Sequence, residues 1–306
     1  MGRKDRIDTF GATALILLAL LFAINQISIK ILNGGFQPVF AAALRSVLSA
    51  LCIWLWMYAR GIPVTVVPGT ARLGVALGVL FSVEFTCLFV ALDLTTVTRT
   101  TVILYSMPVW LAAIAHFLIP GERITPRRAL GLALAFGGMA RAITDRSSLP
   151  EGGDITGDLL ALVAAIGWAA VAFIARKSSE RGTSPEMQLL WMVGVSAPLL
   201  MLAAPAFGPL LRDPGPAEYA ALLFQAVVVV AGGFLAWFWL LARYPSSGVA
   251  SFSFLSPIFG IALGWALLGE PVSPALLLAG GMVATGLLLI NWPRRGQVPQ
   301  KVRRTR

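Results

Sequence analysis

Charge is scarce in this chain. Of its 306 residues, 12% are Asp, Glu, Lys or Arg, against about 25% in an ordinary soluble domain. With 58% of residues hydrophobic, disorder is excluded, because a disordered segment lacks the apolar surface found here. An ordinary water-soluble domain is excluded as well. Cysteine is nearly absent: Cys52 and Cys87 both sit in apolar runs and build neither a disulfide framework nor a zinc cluster. His116 is the single histidine, and the apolar runs hold no paired carboxylates. An intramembrane lipid-modifying enzyme therefore lacks its nucleophile with a base, or its metal. No Gly-x4-Gly-Lys-Ser/Thr phosphate loop is present either. No catalytic residues, metal or cofactor are expected.

What the chain has is apolar length. Mean hydropathy is +0.82, and a spanning helix needs about 20 mainly apolar residues to cross some 30 Å of hydrocarbon. Ten segments qualify: 10–32, 38–60, 71–92, 99–119, 127–144, 157–177, 185–205, 217–243, 248–268 and 273–292. Gly and Pro mark the breaks, as at Asn33-Gly34-Gly35, Ser184-Pro185, Pro214-Gly215-Pro216 and Gly269-Glu270-Pro271. Gly2-Arg3-Lys4-Asp5-Arg6 precedes a run that continues to Leu32 with no small-residue cleavage site, which predicts an uncleaved first span.

The net charge of +10 would suggest nucleic acid in a soluble protein. Placed on ten spans, 18 of the 24 Lys and Arg fall on the side of the termini, 4 (Arg99, Arg141, Arg146, Arg212) on the other, and Lys30 and Arg45 lie within spans. This imbalance predicts cytoplasmic termini. The basic residues are an orientation signal, and no nucleic-acid partner is implied. Lys30, close to its helix end, is expected to snorkel.

The chain also repeats. Glu122 and Glu270, Pro126 and Pro274, and Gly138 and Gly286 are each 148 residues apart. Residues 1–146 and 155–292 are thus read as two five-span repeats, with 293–306 as a basic cytoplasmic tail. Five is odd, so the second repeat starts from the opposite face. The fold class expected is an all-α integral membrane protein of ten transmembrane helices in two inverted repeats. Such repeats suit alternating access, in which two halves rock about a shared site. Glu122 and Glu270, at helix junctions, are read as structural residues capping a following helix. Pro108 and Pro257 each remove a backbone donor and can bend their spans.

The glycine-opened first span with Phe22-Ala23-Ile24-Asn25 and Lys30, Arg45 early in span two, Ala91-Leu92 ending span three, and the two Pro…Gly-Glu…Pro…Gly cassettes resemble the drug/metabolite transporter (DMT) superfamily, EamA type. The resemblance covers nearly the whole chain. It implies a ten-helix carrier in a bacterial inner membrane, with cytoplasmic termini, exporting amino acids or other small metabolites. Family members often carry Trp-Gly in span one, where this chain has Phe22-Ala23; span six keeps Trp168.

Ionisable residues inside spans are functional candidates, because a charge at the bilayer centre costs at least about 2.5–3.5 kcal/mol. Counted from the outer ends of their spans, Asn25 lies seven residues in, Arg45 seven, Glu84 eight, Tyr105 six and Gln225 eight. At 1.5 Å per residue all five fall about 9–12 Å below the outer boundary. They form a polar layer. Arg45 and Glu84 share a depth and have opposite charge, which fits three roles: a structural ion pair, proton coupling through Glu84, or direct substrate contact. Trp168 lies near the midplane, where inverted repeats place substrates, and Trp237, Phe252 and Ser256 extend the candidate binding set. The expected partners are a small-molecule metabolite, membrane lipid and protons as a coupling ion. A non-transporting membrane scaffold is the other reading, and it leaves the polar layer unexplained.

Overall fold

A computed structural model describes residues 7–118, 124–147, 149, 155–244, 249 and 252–291. Its helices are α1 (Thr9–Gly35), α2 (Pro38–Ala59), α3 (Ala71–Leu94), α4 (Val97–Leu104), α5 (Met107–Leu118), α6 (Pro126–Thr144), α7 (Thr156–Glu180) and α8 (Pro185–Ala203). After these come α9 (Pro216–Leu223), a π-helical stretch (Phe224–Phe234), α10 (Leu235–Arg243), a 3-10 turn (Phe252–Phe254), α11 (Leu255–Leu268) and α12 (Pro274–Asn291). The protein is an all-α membrane protein. Glu122 and the tail 293–306 lie outside the described residues.

Proline explains why many spans begin where they do. Pro38, Pro126, Pro185, Pro216 and Pro274 each open a helix, a position where a missing N–H costs nothing. A side-chain oxygen just before the proline often closes the end: Gln37 accepts from the Phe40 amide at 2.6 Å and Ser184 from the Met187 amide at 3.2 Å.

Two spans depart from the sequence reading. Span four is broken at Tyr105 into α4 and α5, because Pro108 supplies no amide for the Leu104 carbonyl and its ring crowds the preceding turn. Span eight carries eleven residues of π-helix between α9 and α10. Among the described residues, eight helical segments are long and apolar enough to cross a membrane, and Phe252–Leu268 is a shorter apolar helix. Span five, as α6, carries Arg127, Arg128 and Arg141, which lowers its hydropathy; it packs along α12.

The packing has two-fold order. Spans two and seven, four and nine, and five and ten each meet their own counterpart, while α3 packs on α7 and α8 as span eight packs on α1 and α2. The seam between α6 and α12 is built from glycine. A Cβ on Gly286 would stand 2.5 Å from the Gly131 carbonyl oxygen, and one on Gly131 would stand 2.8 Å from the Gly286 carbonyl oxygen. Such close backbone approach is how helices associate where no hydrophobic effect drives them together. Gly286→Val is expected to lower stability by about 1–3 kcal/mol through overpacking. The check is the thermal midpoint in detergent, with Gly281→Val, where a Cβ meets nothing within 4 Å, as the silent control.

Candidate functional site

Two faces orient the bundle: the terminal face, where α1 begins and α12 ends, and the far face opposite. Between them lie the residues of the expected polar layer, in three groups. Arg45 on α2 and Glu84 on α3 are both buried, at 1% and 5% exposure. They make no contact ion pair. The guanidinium lies over the Phe85 ring at 3.7 Å, with Phe89 at 5.0 Å and Phe81 at 5.7 Å. Each charge feels the other electrostatically, yet Arg45 Nε and Nη2 and Glu84 Oε2 have no hydrogen-bond partner. An aromatic face attracts the cation with about 2 kcal/mol when desolvated, which accounts for the displacement from the expected direct pair.

A second group joins Tyr105, Trp168 and Ser256. The break before Pro108 sets Tyr105 at the junction of α4 and α5, where its ring meets Trp168 edge to face, with centroids 5.8 Å apart and planes at 75°. The Ser256 side chain, in the first turn of α11, lies beside the Tyr105 phenol. Gly167 brings α7 against the Glu84 backbone, since a Cβ there would lie 3.2 Å from Glu84 Cβ. Trp168 and Glu84 are therefore neighbours in height.

Asn25 and Gln225 form the third group. Gln225 Nε2 donates to the Asn25 carbonyl at 2.9 Å and to the Ser28 hydroxyl, while Asn25 Oδ1 and Gln225 Oε1 are buried without partners. Gln225 sits at the start of the π-helical stretch, a distortion often found at functional sites. Gln26, beside Asn25, accepts from Thr101 Oγ1 at 3.0 Å and ties this group to α4, one turn before Tyr105.

Trp237 and Phe252 are not part of this layer. Both pack on the cluster of Leu15, Leu18, Leu240, Tyr244 and Val249, and Trp237 meets Phe22 at 6.3 Å. The physical reason is register: Trp237 falls three turns beyond Gln225, toward the terminal face.

Toward the terminal face a cavity of about 230 Å³ opens between α5, α6, α7 and α12, lined by Pro108, Ala112, His116, Arg128, Ala172 and Arg176 among others. Trp168 is one turn before Ala172 and Tyr105 one turn before Pro108. The aromatic pair thus stands about a turn away from the cavity lining, on the side of the far face.

The far face holds residues that sequence reasoning underrated. Lys30 does not snorkel; its Nζ donates to the carbonyls of Thr95 (2.6 Å) and Leu92 (3.3 Å) and lies 3.8 Å from Glu270. Glu270 caps a helix N-terminus, though that of α4. Arg99, read only as an orientation residue, is fully buried against Asp158. The run Thr95-Thr96-Val97-Thr98-Arg99-Thr100-Thr101 was the available signal, because hydroxyls and a cation at a helix start demand partners.

An EamA-like transporter family model matches residues 9–144 and 155–292, one match per repeat. The chain belongs to the EamA-like transporter family. It is therefore a member of the DMT superfamily and a membrane transporter by family. Its relatives agree: a probable amino-acid metabolite efflux pump of Escherichia coli is 27% identical over 312 residues, covering 94% of this chain and 95% of the relative. An uncharacterized transporter, YvbV, of Bacillus subtilis is 30% identical over 202 residues, 64% of this chain and 63% of the relative. A solved crystal structure covering 92% of this chain and 95% of its own superposes with a TM-score of 0.65 at 21% identity, which shows a shared fold.

Proposed function

We propose that this EamA-family member is a secondary carrier, not an enzyme, that exports amino acids or other small zwitterionic metabolites by alternating access. The observation that carries the reading is the separated pair Arg45 and Glu84, buried, opposite in charge and each with unbonded polar atoms. Two uncompensated charges in a low-dielectric interior are costly. A zwitterion relieves both at once: its carboxylate accepts from Arg45 Nε and Nη2 in the bidentate mode guanidinium favours, and its ammonium donates to Glu84 Oε2.

Around them, Tyr105 and Trp168 offer aromatic faces to the substrate side chain, with Asn25, Gln225 and Ser256 as polar contacts. The efflux-pump relatives named for amino-acid metabolites support the substrate class. Protonation of Glu84 when the substrate leaves would couple export to a proton gradient. The repeats are assigned as 1–146 and 155–292, and the basic bias places both termini in the cytoplasm of a bacterial inner membrane. The terminal-face cavity is then the cytoplasmic entrance.

A metabolite-panel export screen in cells expressing wild type and Trp168→Ala in parallel tests this. One amino acid or related zwitterion is expected to leave wild-type cells faster, with export about tenfold lower in the variant, the loss of aromatic contacts worth about 1.4 kcal/mol. Equal export of every metabolite by both, with both proteins present in the membrane, would overturn the assignment of Trp168.

A further inference from the structure

The charge pairs of the far face share one property: they join the first repeat to the second. Glu270, at the end of span nine, seats its carboxylate on the start of α4, accepting from the Val97 and Thr98 amides at 2.7 and 2.9 Å and from Thr98 Oγ1 at 2.7 Å. Unpaired amides and the positive end of the helix dipole hold an anion there, and Lys30 of α1 adds its charge at 3.8 Å. Arg212, before span eight, clamps Asp93 of α3 with bonds of 2.8 and 3.0 Å and donates to the Asn33 carbonyl at 3.1 Å. Arg99 reaches across to Asp158 in the first turn of α7.

Glycine lets these contacts form. A Cβ on Gly264 would meet Thr98 Oγ1 at 2.6 Å and Glu270 Oε2 at 2.7 Å, and one on Gly260 would meet the Thr101 hydroxyl and methyl at 2.5 Å. Span nine therefore lies flush against α4 above the polar layer, while the cavity below opens to the terminal face.

Burial divides the contacts by role. Arg99 and Asp158 are 0% exposed, so separating them would strand two bare charges. Lys30 is 31% exposed beside Glu270 at 5%, and Arg212 and Asp93 are 40% and 24% exposed, so water reaches at least one partner of each of these pairs, as it does not for Arg99–Asp158. Resting on the alternating-access reading, we propose that Glu270 is the latch of an outer gate. In opening, its carboxylate leaves the α4 N-terminus and Lys30, the Arg212–Asp93 clamp yields to water, and Arg99–Asp158 stays closed as the pivot.

Two measurements in a Cys52→Ser, Cys87→Ser background test it. In nanodiscs, Gln26→Cys, at a position 2% exposed below the latch, is expected to react slowly with a hydrophilic maleimide, and at least about tenfold faster when Glu270→Gln is added. Equal rates would overturn the latch. This readout needs no substrate, so faster labelling with no flux of any metabolite would leave the gate standing and remove the carrier reading. In the second measurement, Asp93→Cys with Arg212→Cys, at positions paired across the same face, is bridged in proteoliposomes with a disulfide-containing bismaleimide, the unbridged protein serving as its own control for folding. The cross-link is expected to form, stop flux, and release it on reduction. Failure to cross-link, or a cross-linked protein with undiminished flux, would overturn the proposal.

Discussion

Arg45→Met is expected to leave a protein at least as stable as wild type that carries substrate at least about a hundredfold more slowly. In most proteins loss of a buried arginine is destabilising, but here the balance differs. The guanidinium is 1% exposed, and its Nε and Nη2 bond nothing. Its desolvation costs several kcal/mol, while the Phe85 ring face returns about 2 kcal/mol and Glu84, with which it makes no contact ion pair, adds only an attraction without a bond. Methionine fills the volume without the charge. The thermal midpoint in detergent should hold or rise while flux in proteoliposomes falls. A drop in midpoint alongside the flux would mean that Arg45 serves the fold rather than the substrate.

Arg99→Met should do the opposite. Its Nε donates to Asp158 Oδ1 and Oδ2 at 3.1 and 3.2 Å, Nη2 donates to the same carboxylate, Nη1 to the Asp145 carbonyl, and Thr95 Oγ1 donates to Asp158 at 3.1 Å. Removing the arginine leaves Asp158, at 0% exposure, buried and uncompensated, a change that costs about 3–5 kcal/mol. Folded yield and thermal midpoint should both collapse, and Asp158→Leu placed in the same chain should recover much of the loss, because an apolar pair needs no compensation. If Arg99→Met proves as mild as Arg45→Met, the two buried arginines are not distinguished by their partners and the contrast drawn between them fails. The two variants separate charge held for structure from charge held for a ligand.

Much of the fold was legible because the bilayer imposes it. Turn chemistry at Asn33-Gly34-Gly35, Ser184-Pro185, Pro214-Gly215-Pro216 and Gly269-Glu270-Pro271 marked the breaks, and the spans expected to start at 38, 185, 217 and 273 begin within a residue of the observed helices; the 148-residue spacing of Glu122 with Glu270 and Gly138 with Gly286 agrees with one family match per repeat. A residue count estimates height, because rise per residue is fixed, and Asn25 and Gln225, counted to one level, do touch. Rotation was not legible. A residue count gives height along a span but not the direction a side chain faces. That is why the guanidinium of Arg45 went to Phe85 rather than Glu84, and why Trp237 and Phe252 fell into a separate cluster. Long-range capping was equally hidden, since Glu270 serves the N-terminus of α4, 172 residues before it at Thr98. No local pattern joins those two positions.

Counterflow in proteoliposomes tests the central claim most directly. Vesicles loaded with an unlabelled amino acid are given the labelled form outside, alongside its decarboxylated amine and its deaminated acid. Wild type is expected to exchange the zwitterion and neither single-charge analogue at a comparable rate, with Arg45→Met and Glu84→Gln folded but inactive. Exchange of the amine or acid as fast as the amino acid, or undiminished exchange by both variants, would contradict a substrate held between Arg45 and Glu84.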